Sequence, residues 1–278
     1  MSVDTFILPG TIYNVRIRAK NAIGYSDYSN YLRRAFNALP IAPINLRRVE
    51  SACTKTQITI TWNPVADGIA PGGIIRGYKL YMANGSAGSY YQIYDGTDRP
   101  LITTQVISRL TPGEIYRFKA SALVFNGEGA LSSEFFTYSC VKPSNMSGPK
   151  RVSSTATTMT LSWEAPVEDG GCTVTGYAVY RNDGEGGTSW TEVNTPMDSN
   201  VRDKPTLLSM IVSSFPANPS GKEFVFKVVA FNEMGQYSSD TAGYVLASVP
   251  TAPANGPYMI SQSGSQIAIR YDPLLTVV

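Results

Sequence analysis

Apolar and polar positions alternate along this chain in short runs that turn residues interrupt. Met159, Leu161 and Trp163 fall on one face of a predicted strand, with Thr160 and Ser162 on the other. Pro166 removes a backbone donor and ends that run. Asp169-Gly170-Gly171 supplies a turn, and Gly176-Tyr177-Ala178-Val179-Tyr180 restarts the alternation. No stretch carries a convincing amphipathic helical period, so the pattern predicts an all-β chain.

The same pattern returns elsewhere. Ile58-Thr59-Ile60-Thr61-Trp62-Asn63-Pro64 precedes Gly77-Tyr78-Lys79-Leu80-Tyr81, and Ile267-Ala268-Ile269-Arg270-Tyr271-Asp272-Pro273 repeats its first half. Trp62, Trp163 and Tyr271 stand 101 and 108 residues apart. A second motif keeps step: strands beginning at Tyr13, Tyr116 and Phe224 are each followed, eleven residues after the aromatic, by Gly24, Gly127 and Gly235. Two independent anchors on one period mean tandem domains. Residues 39–141 and 142–248 should each form a complete domain. Residues 1–38 hold only the last two strands of a domain (Tyr13 to Asn21 and about Ser29 to Phe36), and 249–278 only the first two of another. A lone hairpin is marginal by itself, so the chain reads as a piece of something longer. The strands missing between its two ends rule out closing a domain by exchange between copies.

Within 39–141 strands are expected near Ile44–Val49, Gln57–Trp62, Tyr78–Met82, Tyr90–Tyr94, Ile102–Ile107, Ile115–Ala122 and Leu131–Tyr138. Their core should contain Leu46, Ile58, Ile60, Trp62, Tyr78, Leu80, Leu110, Tyr116, Phe118 and Ala120. The second repeat is longer between Tyr177 and Phe224. Its extra length, including Asn194 to Pro205, is expected on the surface, where loop length costs little.

A period near a hundred residues with short alternating strands predicts antiparallel β-sandwiches. The early-strand Trp, the Asp-Gly-Gly turn followed by Gly-Tyr, the Leu110-Thr111-Pro112-Gly113 corner and the Tyr-x-Phe/Val-x-Ala strand, in that fixed order, resemble the fibronectin type III domain over nearly the whole chain. The resemblance implies that Trp62 and Trp163 are core residues of strand B, and Tyr13, Tyr78, Tyr116, Tyr177, Phe224 and Tyr271 are expected in the cores as well. It implies that Tyr13 and Tyr116, at the start of strand F, bond back to the backbone. Phe224 departs from the pattern and, lacking a hydroxyl, should make no such bond. It also implies that the B–C and F–G loops share one end of each sandwich. Asp67, Arg76, Asn126 and Glu128, then Glu168, Asp169, Glu233 and Gln236, are therefore the candidate contact residues.

Composition narrows the chemistry. Among 278 residues there is no histidine, which excludes Ser-His, Cys-His and histidine-metal chemistry within this segment. Glu168 with Asp169, or Asp95 with Asp98, offers carboxylates for a weak calcium site, but turns favour Asp for local hydrogen-bonding reasons. No cofactor or resident metal is expected, and no enzyme activity. A net charge of +2 with 16% charged residues gives no general field for nucleic acid, and no apolar run is long enough to span a bilayer. Arg76-Gly77 is followed by Tyr78, so there is no Arg-Gly-Asp tripeptide.

Cys53, Cys140 and Cys172 show no zinc spacing. The first two lie at opposite ends of one domain, which leaves a bridge between them open, although domains of the resembled type usually fold without disulfides. Asn84-Gly85-Ser86 and Asn145-Met146-Ser147 are acceptors for attached glycans if the chain is secreted. These features favour a structural or adhesive spacer, stiffened by short proline-bearing joints, at a cell surface or in an extracellular filament. Its partners would be other proteins or copies of itself. An intracellular cytoskeletal or axonemal repeat, and an accessory module of a secreted enzyme, are the alternatives.

Overall fold

β-Strands supply nearly all the regular structure in the computed structural model, which describes residues 7, 8, 10–67, 73–193, 201–250, 252, 253 and 255–271. A short 3-10 turn at Glu50–Ala52 is the helical exception among them. Near the N-terminus β1 (Ile12–Val15) pairs antiparallel with β2 (Leu32–Ala35), Tyr13 opposite Arg34. Both are shorter than the alternation predicts, because serine side chains take over the ladder. The Ile17 N–H donates to Ser29 Oγ at 3.1 Å, and the Ala19 N–H to Ser26 Oγ at 3.0 Å.

The next strands are β3 (Ile44–Arg48), β4 (Gln57–Asn63), β5 (Gly77–Asn84), β6 (Tyr91–Asp95), β7 (Thr104–Ser108), β8 (Ile115–Val124), β9 (Gly127–Glu128) and β10 (Phe135–Tyr138). They form two antiparallel sheets, ordered β3-β4-β7 and β10-β8-β5-β6, with β9 also on β8. The last strand starts at Phe135 rather than Leu131 because Ser132 repeats the serine device: its Oγ accepts from the Ala120 N–H at 3.0 Å and its own N–H donates back to the Ala120 carbonyl. Ile58, Ile60 and Trp62 face Tyr78, Leu80, Tyr116, Phe118 and Ala120 across the sandwich, and Leu46 packs half-buried at the margin. Trp62 meets Tyr78 edge-on, with ring centres 5.8 Å apart. Such pairs add about 0.5–1.5 kcal/mol beyond area burial.

The second sandwich repeats the plan with β11 (Lys150–Ser154), β12 (Met159–Ser162), β13 (Gly176–Arg181), β14 (Thr191–Glu192), β15 (Ser209–Val212), β16 (Glu223–Asn232), β17 (Gly235–Ser238) and β18 (Ala242–Val245). Its sheets run β11-β12-β15 and β14-β13-β16-β17, with β18 also on β16. Trp163 again meets Tyr177 edge-on, at 5.6 Å. Of the inserted segment, residues 194–200 lie outside the described residues. Val201 is not on the surface as expected but buried in the core, its carbonyl accepting from the Tyr177 N–H at 2.9 Å. The chain ends in a hairpin of β19 (Tyr258–Gln262) and β20 (Ile267–Arg270). Tyr271, expected in a core, is 73% exposed, since no second sheet among the described residues covers this hairpin.

The chain divides into two compact units, one of residues 1–141 with 170–172, the other of 142–169 with 173–278. Cys140 and Cys172, both in the first unit, are joined by a disulfide with Cα atoms 5.6 Å apart, while Cys53 is a free, half-buried thiol. This corrects both the Cys53–Cys140 alternative and the expectation of a disulfide-free chain. Cys53 instead donates from Sγ to the Val49 carbonyl and accepts from the Thr59 N–H, which uses up its polar capacity locally.

Candidate functional site

The tyrosine corners are present where the sequence places them. The Tyr13 hydroxyl accepts from the Leu8 N–H at 2.8 Å and the Tyr116 hydroxyl from the Thr111 N–H at 3.0 Å, each five residues upstream. Phe224 replaces the corner with aromatic packing against Phe215, ring centres 4.8 Å apart.

The first candidate loop pair serves internal structure. Asp67 accepts the Ile75 N–H at 2.8 Å, and Arg76 pairs with Asp98. The five residues 68–72 between them lie outside the described residues. Asn126 reaches the N-terminal segment: its side-chain amide donates to the carbonyls of Ala35 (2.7 Å) and Asn37 (3.1 Å), and its Oδ1 accepts from the Ala35 N–H (2.9 Å). Glu128 sits at the centre of a polar cluster, accepting from Tyr81 Oη at 2.6 Å, Ser121 Oγ at 2.5 Å and Lys79 Nζ at 3.1 Å. Burial acts to raise its carboxyl, but these three donors outweigh it and hold the group below its ordinary value, so it is ionised at neutral pH. Burial and the Glu128 hydrogen bond push the Tyr81 hydroxyl up to about 12. A carboxylate saturated in this way braces β5, β8 and β9 and offers no free base.

In the second pair it is the backbone that is engaged. The Glu168 carbonyl accepts from the Ser144 N–H at 2.8 Å, and the Asp169 carbonyl accepts from the Asn232 side chain at 2.8 Å. Glu233 and Gln236 are exposed. Asp95 caps its own turn, accepting from Thr97 N and Oγ1, and Asp98 is held by Arg76. Among the described residues no group of three His, Cys, Asp or Glu side chains converges on a metal position. Asn84 and Asn145 are both exposed.

Each of the two sandwiches therefore has a three-stranded sheet facing a larger one and a buried Trp–Tyr pair, and a tyrosine corner stands in the first sandwich and in the N-terminal hairpin. No family model matches the chain. Over 254 residues, 87% of its length, it is 27% identical to mouse fibronectin type-III domain-containing protein 3A. In fold the chain is a tandem array of fibronectin type III-like sandwiches. Human myomesin-2 is 27% identical over 248 residues, 85% of this chain. This array spans only a fifth or less of either relative's length, 19% and 16%. The solved chicken CNTN1 FN1-FN3 domains are similar at a TM-score of 0.41 with 18% identity, covering 86% of this chain and 79% of that one.

Sequence reasoning missed the serine that clips strand F in each fibronectin type III-like repeat. Ser29, Ser132 and Ser239 accept from the N–H groups of Ile17, Ala120 and Val228 at 3.1, 3.0 and 3.0 Å, and each donates its own N–H back to the same residue. Their spacing of 103 and 107 residues was a readable signal, hidden because serine carries no hydrophobic pattern.

The two fibronectin type III-like cores differ at one hydrogen bond. Three residues after the tryptophan, the first has Val65, whose N–H donates to the Tyr78 hydroxyl at 2.9 Å. At that offset the second has Pro166, which has no N–H, and the Tyr177 hydroxyl is buried without a partner among the described residues. Burial raises the hydroxyl pKa at both positions. Tyr78→Phe should therefore destabilise the first core by about 1 kcal/mol, leaving the Val65 N–H unpaired, whereas Tyr177→Phe should be neutral or stabilising. Urea unfolding of each variant checks the pair; equal losses at both positions would contradict the assignment.

Proposed function

We propose that the chain is a non-catalytic spacer made on the secretory route, whose sandwiches carry protein contacts for a larger adhesive or filamentous protein. The observation that carries this reading is the Cys140–Cys172 disulfide, since structural disulfides persist in oxidising compartments and are rare in the cytosol. Two glycan acceptors on exposed asparagines, Asn84 and Asn145, agree with it. The absence of histidine and the use of the loop carboxylates in local hydrogen bonds argue for a scaffold role. Its partners would be other proteins or copies of itself.

Intact-mass analysis of natively isolated protein, with peptide mapping across Asn84 and Asn145, tests the reading. Glycan on either asparagine is the expected result. Bare asparagines together with three reduced thiols would overturn it in favour of an intracellular repeat protein.

A further inference from the structure

The N-terminal hairpin and the first sandwich, which belong to one compact unit, enclose a cleft of about 440 Å³. Ile12, Arg33, Ala35 and Asn37 line it from the N-terminal segment, and Ile74, Arg76 and Phe125 from the loops that precede β5 and β9. Paired residues of an antiparallel ladder point to the same side. Ile12 with Ala35, and Asn14 with Arg33, therefore lie on the face opposite Tyr13 and Arg34. Tyr116, the counterpart of Tyr13 in the first sandwich, is turned into the core, which makes the cleft a feature of the hairpin's outer face. Asn126 ties the two walls together, bonding both backbone groups of Ala35 and the carbonyl and side chain of Asn37.

The floor of the cleft is apolar and its rim donates. Ile12 and Ile74 are exposed, and the half-buried Phe125 ring has the Arg33 guanidinium 5.5 Å and that of Arg76 5.6 Å from its centre. A guanidinium stacked on a ring uses its flat face and leaves its in-plane N–H donors at the edge. Arg76 spends Nε and Nη2 on Asp98 and keeps Nη1. Asn37 gives its Oδ1 to the Asn126 amide, which leaves Nδ2 as the uncommitted end of its side chain. What sets these cations apart is that they converge on one apolar floor. Among the described residues that line the cleft, the polar side chains left open are donors and none is acidic.

We infer that this cleft takes a peptide segment of a partner protein in which an Asp or Glu adjoins a bulky apolar side chain. The apolar side chain lies on Ile12, Ala35, Ile74 and Phe125, and the carboxylate at the rim accepts from Arg33, from Asn37 Nδ2 and from the open Nη1 of Arg76. The volume is within the range of about 300–1,000 Å³ usual for ligand clefts, which suits an inserted segment and not the flat face of a folded domain. The choice of a peptide over a free small carboxylate rests on the reading above that the sandwiches carry protein contacts.

The test is an NMR titration of the whole chain with an acetylated, amidated hexapeptide of alternating leucine and glutamate. Because it uses purified protein and reads peptide binding, its outcome is independent of whether Asn84 and Asn145 carry glycan, so it fails separately from the secretory reading. Saturable shifts centred on the amides of Ala35, Ile74 and Phe125 are expected. Replacing glutamate by glutamine in the peptide, or leucine by serine, should weaken binding at least tenfold. Arg33→Gln should lower affinity about tenfold, the loss of a charge-assisted bond. Ile74→Ser, at an exposed position where folding is spared, should lower it at least threefold. Lys150→Gln on the second sandwich should change it less than twofold. No saturable shifts, shifts centred elsewhere, loss in neither or only one of the two cleft variants, or octanoate binding as tightly as the peptide would overturn the inference.

Discussion

Gly176→Ala is expected to destabilise the second sandwich by about 3 kcal/mol or more, the upper end of what overpacking against an unyielding neighbour produces. A Cβ built on Gly176 would overlap the Arg202 carbonyl oxygen. That carbonyl cannot withdraw cheaply, since the adjacent Val201 carbonyl holds the Tyr177 N–H at 2.9 Å and the Val201 side chain is buried in the core. The first sandwich is built the same way. A Cβ on Gly77 would overlap the Gly96 carbonyl oxygen, and the Gly96 N–H donates to the Tyr78 carbonyl at 2.8 Å. In both domains the Gly before the core Tyr is therefore the point where the returning chain crosses β5 or β13 at backbone distance. Gly24, with nothing within 4 Å of a built Cβ, is the internal control, and Gly24→Ala should change stability by less than about 0.5 kcal/mol. Urea unfolding measures both; a loss under about 1 kcal/mol for Gly176→Ala would show that the crossing segment can move aside.

Trp62→Ala and Trp163→Ala should each remove about 3–5 kcal/mol from their own sandwich, the usual range for truncating a buried aromatic. Trp62 is 2% exposed and Trp163 3%, and each forms an edge-on pair with a tyrosine, Tyr78 on β5 or Tyr177 on β13. With domain stability on the order of 5–15 kcal/mol, such a loss leaves either sandwich marginal at room temperature. Hydrogen exchange at the amides of Phe118 for the first core and Phe226 for the second reads the effect directly. Protection falling by less than tenfold would mean that the tryptophans are peripheral to these cores.

The repeat was legible because its anchors are large apolar residues and glycines, the types that core packing and close backbone approach dictate. Trp62, Tyr78, Phe118 and their counterparts in the second sandwich are buried, and both Gly-Tyr pairs mark chain crossings. What stayed hidden was carried by small polar groups and by pairing in space. Ser29, Ser132 and Ser239 substitute a hydroxyl for a ladder carbonyl, which shortens β2 and β10 from their apolar patterns. Val201 looked like loop because its neighbours are polar, yet it fills a core position. The loop residues taken as contact candidates followed from the loop placement that the resemblance implies, and in the structure Asn126 ties its domain to the segment before it while Glu128 braces its own sheet. The donor-rimmed cleft beside the N-terminal hairpin escaped notice because its walls come from segments far apart in sequence.

The cysteines lie 32 residues apart in sequence, and nothing in their spacing selects Cys140 with Cys172 over a pair involving Cys53. The assignment to an oxidising compartment rests on that pairing, so non-reducing peptide mapping of natively purified protein tests the account most directly. A Cys140–Cys172 linked peptide with Cys53 recovered as a free thiol is the predicted result. Three free thiols in the native protein would contradict it and remove the ground for placing this array on the secretory route.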